Sequence, residues 1–227
     1  MKKQDNKFLV FGKPYISKKE INEMISTLKS GWIGTGPKTK LFEDQFSEYV
    51  GSKHAIALNS CTAGLHIALD LLNLQEGDEV ITTPMTFAST VNVIEHHNAK
   101  PIFVDIDKWS MNIDASLISK FISKNTRAIM PVHFAGLPCD MDKINAIAKK
   151  FGLNIISDAA HAIEARYKNK KMGQLAELTV FSFYANKNLT TGEGGMIVTD
   201  NENLAKEIRV KSLHGLSIDA WKRYSNE

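Results

Sequence analysis

The chain has 227 residues, of which 43% are hydrophobic and 23% charged, the balance of an ordinary globular protein, which excludes disorder and collagen-like repeats. At about 150 residues per domain this length predicts one or two domains with a sizeable buried core. The formal net charge of +3 and the lack of basic clusters alternating with aromatics argue against nucleic acid, and no apolar run reaches the ~18–20 residues of a membrane helix.

The start, MKKQDNKFLVFG, is basic but lacks a long apolar stretch or small-residue cleavage site, so no signal peptide is expected. The lysines before residue 20 read as a solvated tail. Residues 17–50 read as two helices around the loop GWIGTGPKT (31–39). Beyond them, short apolar runs rich in β-branched residues predict seven strands: HAIALN (54–59), EVITTP (79–84), KPIFVDI (100–106), TRAIMPVH (126–133), LNIISD (153–158), LTVFSF (178–183) and GMIVTD (195–200). Helical spacing fills most of the gaps. Leu65, Ala68, Leu69 and Leu72 follow i, i+3, i+4, i+7, and Ile144, Ile147 and Ala148 precede a stop at Gly152. Alternating strands and helices predict an α/β fold, a mostly parallel sheet with helices on both faces. Runs such as AIALN and IISD are apolar almost throughout, as strands buried on both faces require. Two cysteines, Cys61 and Cys139, are too few and too far apart for a disulfide framework or zinc site, and fit a reducing cytoplasm.

In open α/β sheets ligands bind beyond the carboxyl ends of the strands. After HAIALN, Ser60-Cys61-Thr62-Ala63-Gly64 opens a helix. Free N–H groups, hydroxyls and the positive helix end suit an anion such as phosphate, although Ser60 or Thr62 could equally be a simple cap. LNIISD ends in Asp158, a carboxylate that is costly on a buried strand unless paired. A cationic ring nitrogen would pair with it; a helix cap is the plain alternative. His161 alone reads as a packed polar residue. In FSFYANKNLTTGEGG (181–195), Lys187 stands four residues past the strand end at Phe183. Among Phe181, Phe183 and Tyr184 its pKa could fall as imine chemistry requires; a surface lysine is the bland reading. Gly192, Gly194 and Gly195 could be turn residues. Taken together, a phosphate-binding helix start, an acid for a ring nitrogen, the Ser182 hydroxyl and a lysine form the set that pyridoxal phosphate needs, and Phe87 adds an aromatic that could stack on its ring.

The sequence resembles the DegT/DnrJ/EryC1/StrS sugar aminotransferases, pyridoxal-phosphate enzymes of fold type I, from about Ile16 onward. The resemblance is carried by GWIGTGPKTKLFE (31–43), NSCTAGLHIAL (59–69), EVITTPMTFAST (79–90), PVHFAGLPCDMD (131–142), SDAAHA (157–162), FSFYANKNLTTGEGGMIVTD (181–200) and HGLSIDAWKRY (214–224). It implies the three-layer large domain of that fold with a seven-stranded sheet. It also implies that Lys187 condenses with the cofactor aldehyde and later moves the substrate proton. Asp158 then pairs with the pyridinium and His161 stands near the phenolic oxygen. Ser60, Thr62, Ala63 (through its N–H) and Ser182 hold the phosphate, and Phe87 stacks on the ring.

The implied reaction moves an amino group from an amino acid, glutamate, to a keto sugar on a nucleoside diphosphate. The setting would be envelope polysaccharide, lipopolysaccharide O-antigen or amino-sugar synthesis, carried out by a cytoplasmic homodimer. A dehydratase branch has His at the lysine position; Lys187 points to amine transfer. Two features depart from the family pattern. Tyr184-Ala185-Asn186 replaces the usual His-Pro-Val or His-Ala-Ile. The chain also ends at SNE, before the segment that reaches the neighbouring subunit and before the small C-terminal domain. The expected organisation is therefore a helical segment over 1–50 and a pyridoxal-phosphate domain over 51–227 without the small domain, with a non-catalytic or regulatory subunit as the alternative reading.

Overall fold

The computed structural model describes residues 8, 10 and 12–216. Most of the final motif, HGLSIDAWKRY, and the first lysines lie outside the described residues. Helix α1 (Lys18–Ser30) starts at a Ser17 capping box with Glu20 and ends at Gly31. Helix α2 (Pro37–Val50) has proline in its first turn, where no N–H is needed. The two helices expected over 17–50 are thus present, although α1 buries no residue.

Seven strands form one sheet: β1 (His54–Leu58), β2 (Glu79–Thr82), β3 (Lys100–Phe103), β4 (Thr126–Ile129), β5 (Asn154–Asp158), β8 (Leu178–Ser182) and β9 (Gly195–Thr199), with a separate two-stranded hairpin β6 (Arg166–Tyr167) and β7 (Lys170–Lys171). The order across the sheet is β1-β9-β8-β5-β4-β2-β3. Strand β9 runs antiparallel to both neighbours, β1 and β8, and the remaining pairs are parallel. Helices α3 (Cys61–Asp70), α4 (Ala88–His96), α5 (Met141–Phe151) and α6 (Glu202–Ser212) join or follow the strands. Helix α5 stops at Gly152, whose φ of +67° is left-handed, where a side chain would be strained.

Alternation along the strands builds two apolar layers. Ala55, Ile81, Ile129, Ile155, Phe181 and Val198 point to one face, under Phe46 of α2 and Ile144 of α5. Their neighbours Ile56, Val80, Ala128, Ile156, Val180 and Ile197 point to the other, under Leu65 and Leu69 of α3, Ile94 of α4 and Ile208 of α6. This is a three-layer α/β/α arrangement. Its central strands are largely apolar because both faces are covered.

The parallel strands β1, β2, β4, β5 and β8 all end on one rim. Their C-terminal ends deliver Ser60, Thr86, His133, Asp158 and Ser182 to the same side of the sheet, and the functional site forms there.

Candidate active site

The turn from β1 into α3 is shaped by two close approaches. A Cβ at Gly195, the first residue of β9, would stand 2.4 Å from the Ser60 carbonyl carbon and 2.5 Å from the Cys61 nitrogen. One at Gly64 would stand 2.5 Å from Val180 Cγ1 of β8. Only glycine lets α3 lie this close to the strands, so its N-terminus sits directly on the rim. Ser60 caps α3: its Oγ accepts the Ala63 N–H at 3.1 Å. The Ala63 amide expected to hold a phosphate is thus given to Ser60, because a cap oxygen lies within its reach. The preceding amides, Cys61 and Thr62, have no partner within the helix and lie at the positive end of its dipole.

Asp158 ends β5 with 4% exposure. Thr90 Oγ1 donates to its Oδ2 at 2.8 Å and the Ala160 N–H to its Oδ1 at 3.1 Å. Burial pushes its pKa up; the Thr90 and Ala160 hydrogen bonds, then the His161 and Lys187 charges, oppose that shift. Among the described residues, the carboxyl thus has only neutral donors in direct contact, and a cationic N–H in the cavity would offset its desolvation.

Lys187 lies on the 183–194 loop. The loop is tied to β8 because the Thr190 hydroxyl and the Thr191 N–H both donate to the Phe183 carbonyl, each at 3.0 Å. The Lys187 N–H donates to the Tyr184 carbonyl at 2.9 Å, closing a turn. Its Nζ stands 2.6 Å from His161 Nε2. When Lys187 is an ammonium it has no acceptor, so the imidazole Nε2 then accepts and the ring proton sits on Nδ1. Burial pulls the Lys187 pKa below the ordinary lysine range. Burial, then the Lys187 charge, pulls His161 down as well. Both shifts favour neutral, nucleophilic or basic forms.

Lys187, His161, Asp158, Ser60, Thr62, Ser182 and Phe87 all border one cavity of about 680 Å³. Phe87, the residue before α4, is 79% exposed at its edge. The Ser182 Oγ accepts the Tyr184 N–H at 3.3 Å. No site role was expected of Thr86, Thr90 or His133, and Cys61 was named only as a cysteine and as part of the helix start. Cys61 borders the cavity, and burial, reinforced by Asp158, keeps its thiol protonated. His133 is buried, accepting the Cys139 N–H on Nδ1 at 3.0 Å and meeting Ser157 Oγ at 2.6 Å. Burial pulls its pKa down to about 3. The i, i+4 spacing of Thr86 and Thr90 at the start of a helix was the signal available for that pair. An anion cradle, a buried acid lacking a cationic partner and a lysine of depressed pKa within one cavity fit pyridoxal phosphate.

The sequence model described as "DegT/DnrJ/EryC1/StrS aminotransferase family" matches residues 14–227. The chain belongs to this family. Protein MJ1066 of Methanocaldococcus jannaschii is 59% identical over 220 residues, covering 97% of this chain and 57% of that protein. The spore coat polysaccharide biosynthesis protein SpsC of Bacillus subtilis is 51% identical over 226 residues, covering 100% and 58%. Among solved structures, Spr1654 of Streptococcus pneumoniae, assigned as a sugar aminotransferase and solved in its PLP form, superposes with a TM-score of 0.86 at 38% identity over 91% of this chain and 58% of that one. The DegT-family chain thus spans a little over half the length of the curated relatives it matches. Its seven-stranded, mostly parallel sheet is the fold type I architecture expected from the sequence.

Proposed function

We propose that this chain carries the pyridoxal-phosphate site of a sugar aminotransferase, moving an amino group from glutamate to a keto sugar borne on a nucleoside diphosphate. The observation that carries the reading is the Lys187 amine, 2.6 Å from a histidine nitrogen and in the same cavity as the buried Asp158 carboxyl and the start of α3. When bound, the cofactor supplies an aldehyde for the amine and an electron sink for the carbon that loses its proton.

The protein's own groups do the rest. Asp158 holds a proton on the ring nitrogen by charge. The Cys61 and Thr62 amides, with the Thr62 and Ser182 hydroxyls, hold the phosphate. Lys187, once released, would move a proton between the substrate α-carbon and the cofactor in each half of the transfer. His161 accepts a hydrogen bond from the Lys187 amine, orients it, and stands ready to bond the ring oxygen. Phe87 covers one face of the ring.

Spr1654, solved in PLP and PMP forms, supports the cofactor. SpsC, named for a polysaccharide pathway, supports a sugar acceptor. Lysine rather than histidine at position 187 supports amination over dehydration. A homodimer working in envelope polysaccharide synthesis completes the reading, and two free cysteines suit a reducing cytoplasm.

The test is chemical trapping. Purified protein mixed with pyridoxal phosphate should gain a near-visible absorption band. Borohydride reduction followed by peptide mapping should place the label on Lys187, and Lys187→Ala should lose both band and label. A label on another lysine defeats the site. Amine transfer from glutamate to nucleotide-linked keto sugars then tests the substrate class.

A further inference from the structure

Behind Asp158 lies a pair of hydroxyls that the reading above does not use. An ionised carboxylate only accepts hydrogen bonds, so Thr90 donates its single hydroxyl proton to Oδ2. Thr86 Oγ1 stands 2.7 Å from Thr90 Oγ1. With the Thr90 proton committed, Thr86 is the donor in that contact. The direction of the relay is thereby fixed: Thr86 to Thr90 to Asp158.

Threonine in a helix commonly turns its hydroxyl to a carbonyl of the preceding turn. Thr90 instead spends it on a strand end 68 positions away, with its side chain fully buried. The same residue ties down the aromatic at the cavity edge, because the Thr90 N–H donates to the Phe87 carbonyl at 3.1 Å. Thr86, Phe87 and Thr90 therefore form one turn whose inner end grips the acid and whose outer end presents the ring.

We propose that Thr90, oriented by Thr86, is a positioning residue that locks Asp158 and the Phe87 turn into one unit, so that a bound pyridine ring is met at its nitrogen and on its face together. This rests on the pyridoxal-phosphate reading of the cavity. The other titratable groups facing Asp158 are Lys187 and His161 across the cavity, Cys61 from α3, and Cys139 and His133 beside β5. Burial keeps both thiols protonated, Cys139 pushed up to about 12. His133 stays neutral above about 3. Among the described groups facing Asp158, that leaves His161 and Lys187, both pulled down by burial, as the ones whose charge can change alongside the acid.

The experiment is carboxyl ¹³C NMR of the cofactor-free chain, with the Asp158 resonance assigned by its loss in Asp158→Asn. A hydrogen bond to a charged group corresponds to about one pH unit or more of midpoint. Thr90→Val should therefore raise the Asp158 midpoint by about one unit, and pyridoxal phosphate should bind about tenfold more weakly. Thr90→Ser should restore both, whereas a merely space-filling threonine would be replaced equally well by valine. A folded Thr90→Val with unchanged midpoint and affinity overturns the proposal, as does a serine variant that behaves like valine. Should Thr90→Val not fold, Thr86→Val reads the relay from its far end: a raised midpoint supports it and an unchanged one overturns it. The cofactor-free midpoint tests the relay even if the wild-type chain binds no pyridoxal phosphate, an outcome that would sink the functional reading alone.

Discussion

The approach of β9 to the start of α3 can be tested by adding one methyl group. In Gly195→Ala the new Cβ would stand 2.4 Å from the Ser60 carbonyl carbon and 2.5 Å from the Cys61 nitrogen. Ordinary carbon contacts begin near 3.5 Å, so the β1–α3 turn must retreat by about 1 Å. The atoms it meets are backbone, with no rotamer available to relieve the clash. Overpacking of this kind costs about 1–3 kcal/mol, which at this chain length lowers the melting temperature by roughly 2–4 °C per kcal/mol. The same retreat carries the Cys61 and Thr62 amides away from a phosphate held against Ser182. Losing one hydrogen bond to a charged group costs about 1.5–3 kcal/mol, so pyridoxal phosphate should bind at least about tenfold more weakly. Scanning calorimetry of the cofactor-free chain and an absorbance titration with the cofactor read the two effects. Gly34→Ala is the control, because a Cβ there meets nothing within 4 Å. A Gly195→Ala protein that melts and binds like wild type would show that the turn does not depend on this contact.

Three further outcomes are expected. Glu43 of α2 is buried, accepts the Ala57 N–H of β1 at 2.9 Å and pairs with Arg209 of α6 at 2.9 Å, so Glu43→Ala should destabilise by about 2–4 kcal/mol in urea melts, the low side of a fully buried pair because Arg209 stays partly solvated; a double cycle with Arg209→Ala should show the two losses to be non-additive. Asp158→Asn should weaken pyridoxal phosphate binding at least tenfold while leaving the chain folded, and unchanged affinity by titration would remove Asp158 from the ring-nitrogen role. His133 is neutral when folded, with a pKa near 3 against an unfolded 6.5, so the unfolded chain binds the extra proton between those values: stability is complete above about pH 6.5 and falls with acid by up to about 4 kcal/mol toward pH 3. Denaturant melts of His133→Asn, whose amide oxygen can take the Cys139 N–H, should lose one proton's worth of that slope; an identical slope would show that His133 does not titrate on unfolding.

Seven strands were legible because each is covered on both faces, which turns the sequence into short apolar runs that punctuation separates. Of the helix ends, the possible cap at Ser60 and the stop at Gly152 were read from the sequence; Ser17, Asp140 and Asn201 also cap starts, and Gly31 and Gly51 also close ends, but these were not read. The antiparallel direction of β9 was not read. The signal was present, since the 183–194 link holds no helix and parallel neighbours need a longer crossover. The β6–β7 hairpin was missed because two-residue strands of Arg, Tyr and Lys carry no apolar alternation. In α1 the stripe of Ile21, Met24, Ile25 and Leu28 remains exposed, so helical periodicity there identified the element without identifying a core.

At the site, spacing placed Asp158 and Lys187 at strand ends, but it could not say what they touch. That limit has a physical cause. Asp158 is stabilised by Thr90, 68 residues away, and Lys187 meets a histidine 26 residues away; neither contact leaves a trace in local periodicity. The close contacts share one logic. Asp158 is buried where its charge is disfavoured, and Lys187 and His161 where protonation is disfavoured. A chain selected for stability alone would neutralise all three. Keeping them together, with the acid held by neutral hydroxyl and amide donors, suits the ring-nitrogen role proposed above for Asp158. The residues that sequence patterns were least able to explain are thus those whose burial disfavours their charged forms, as expected where local rules yield to function.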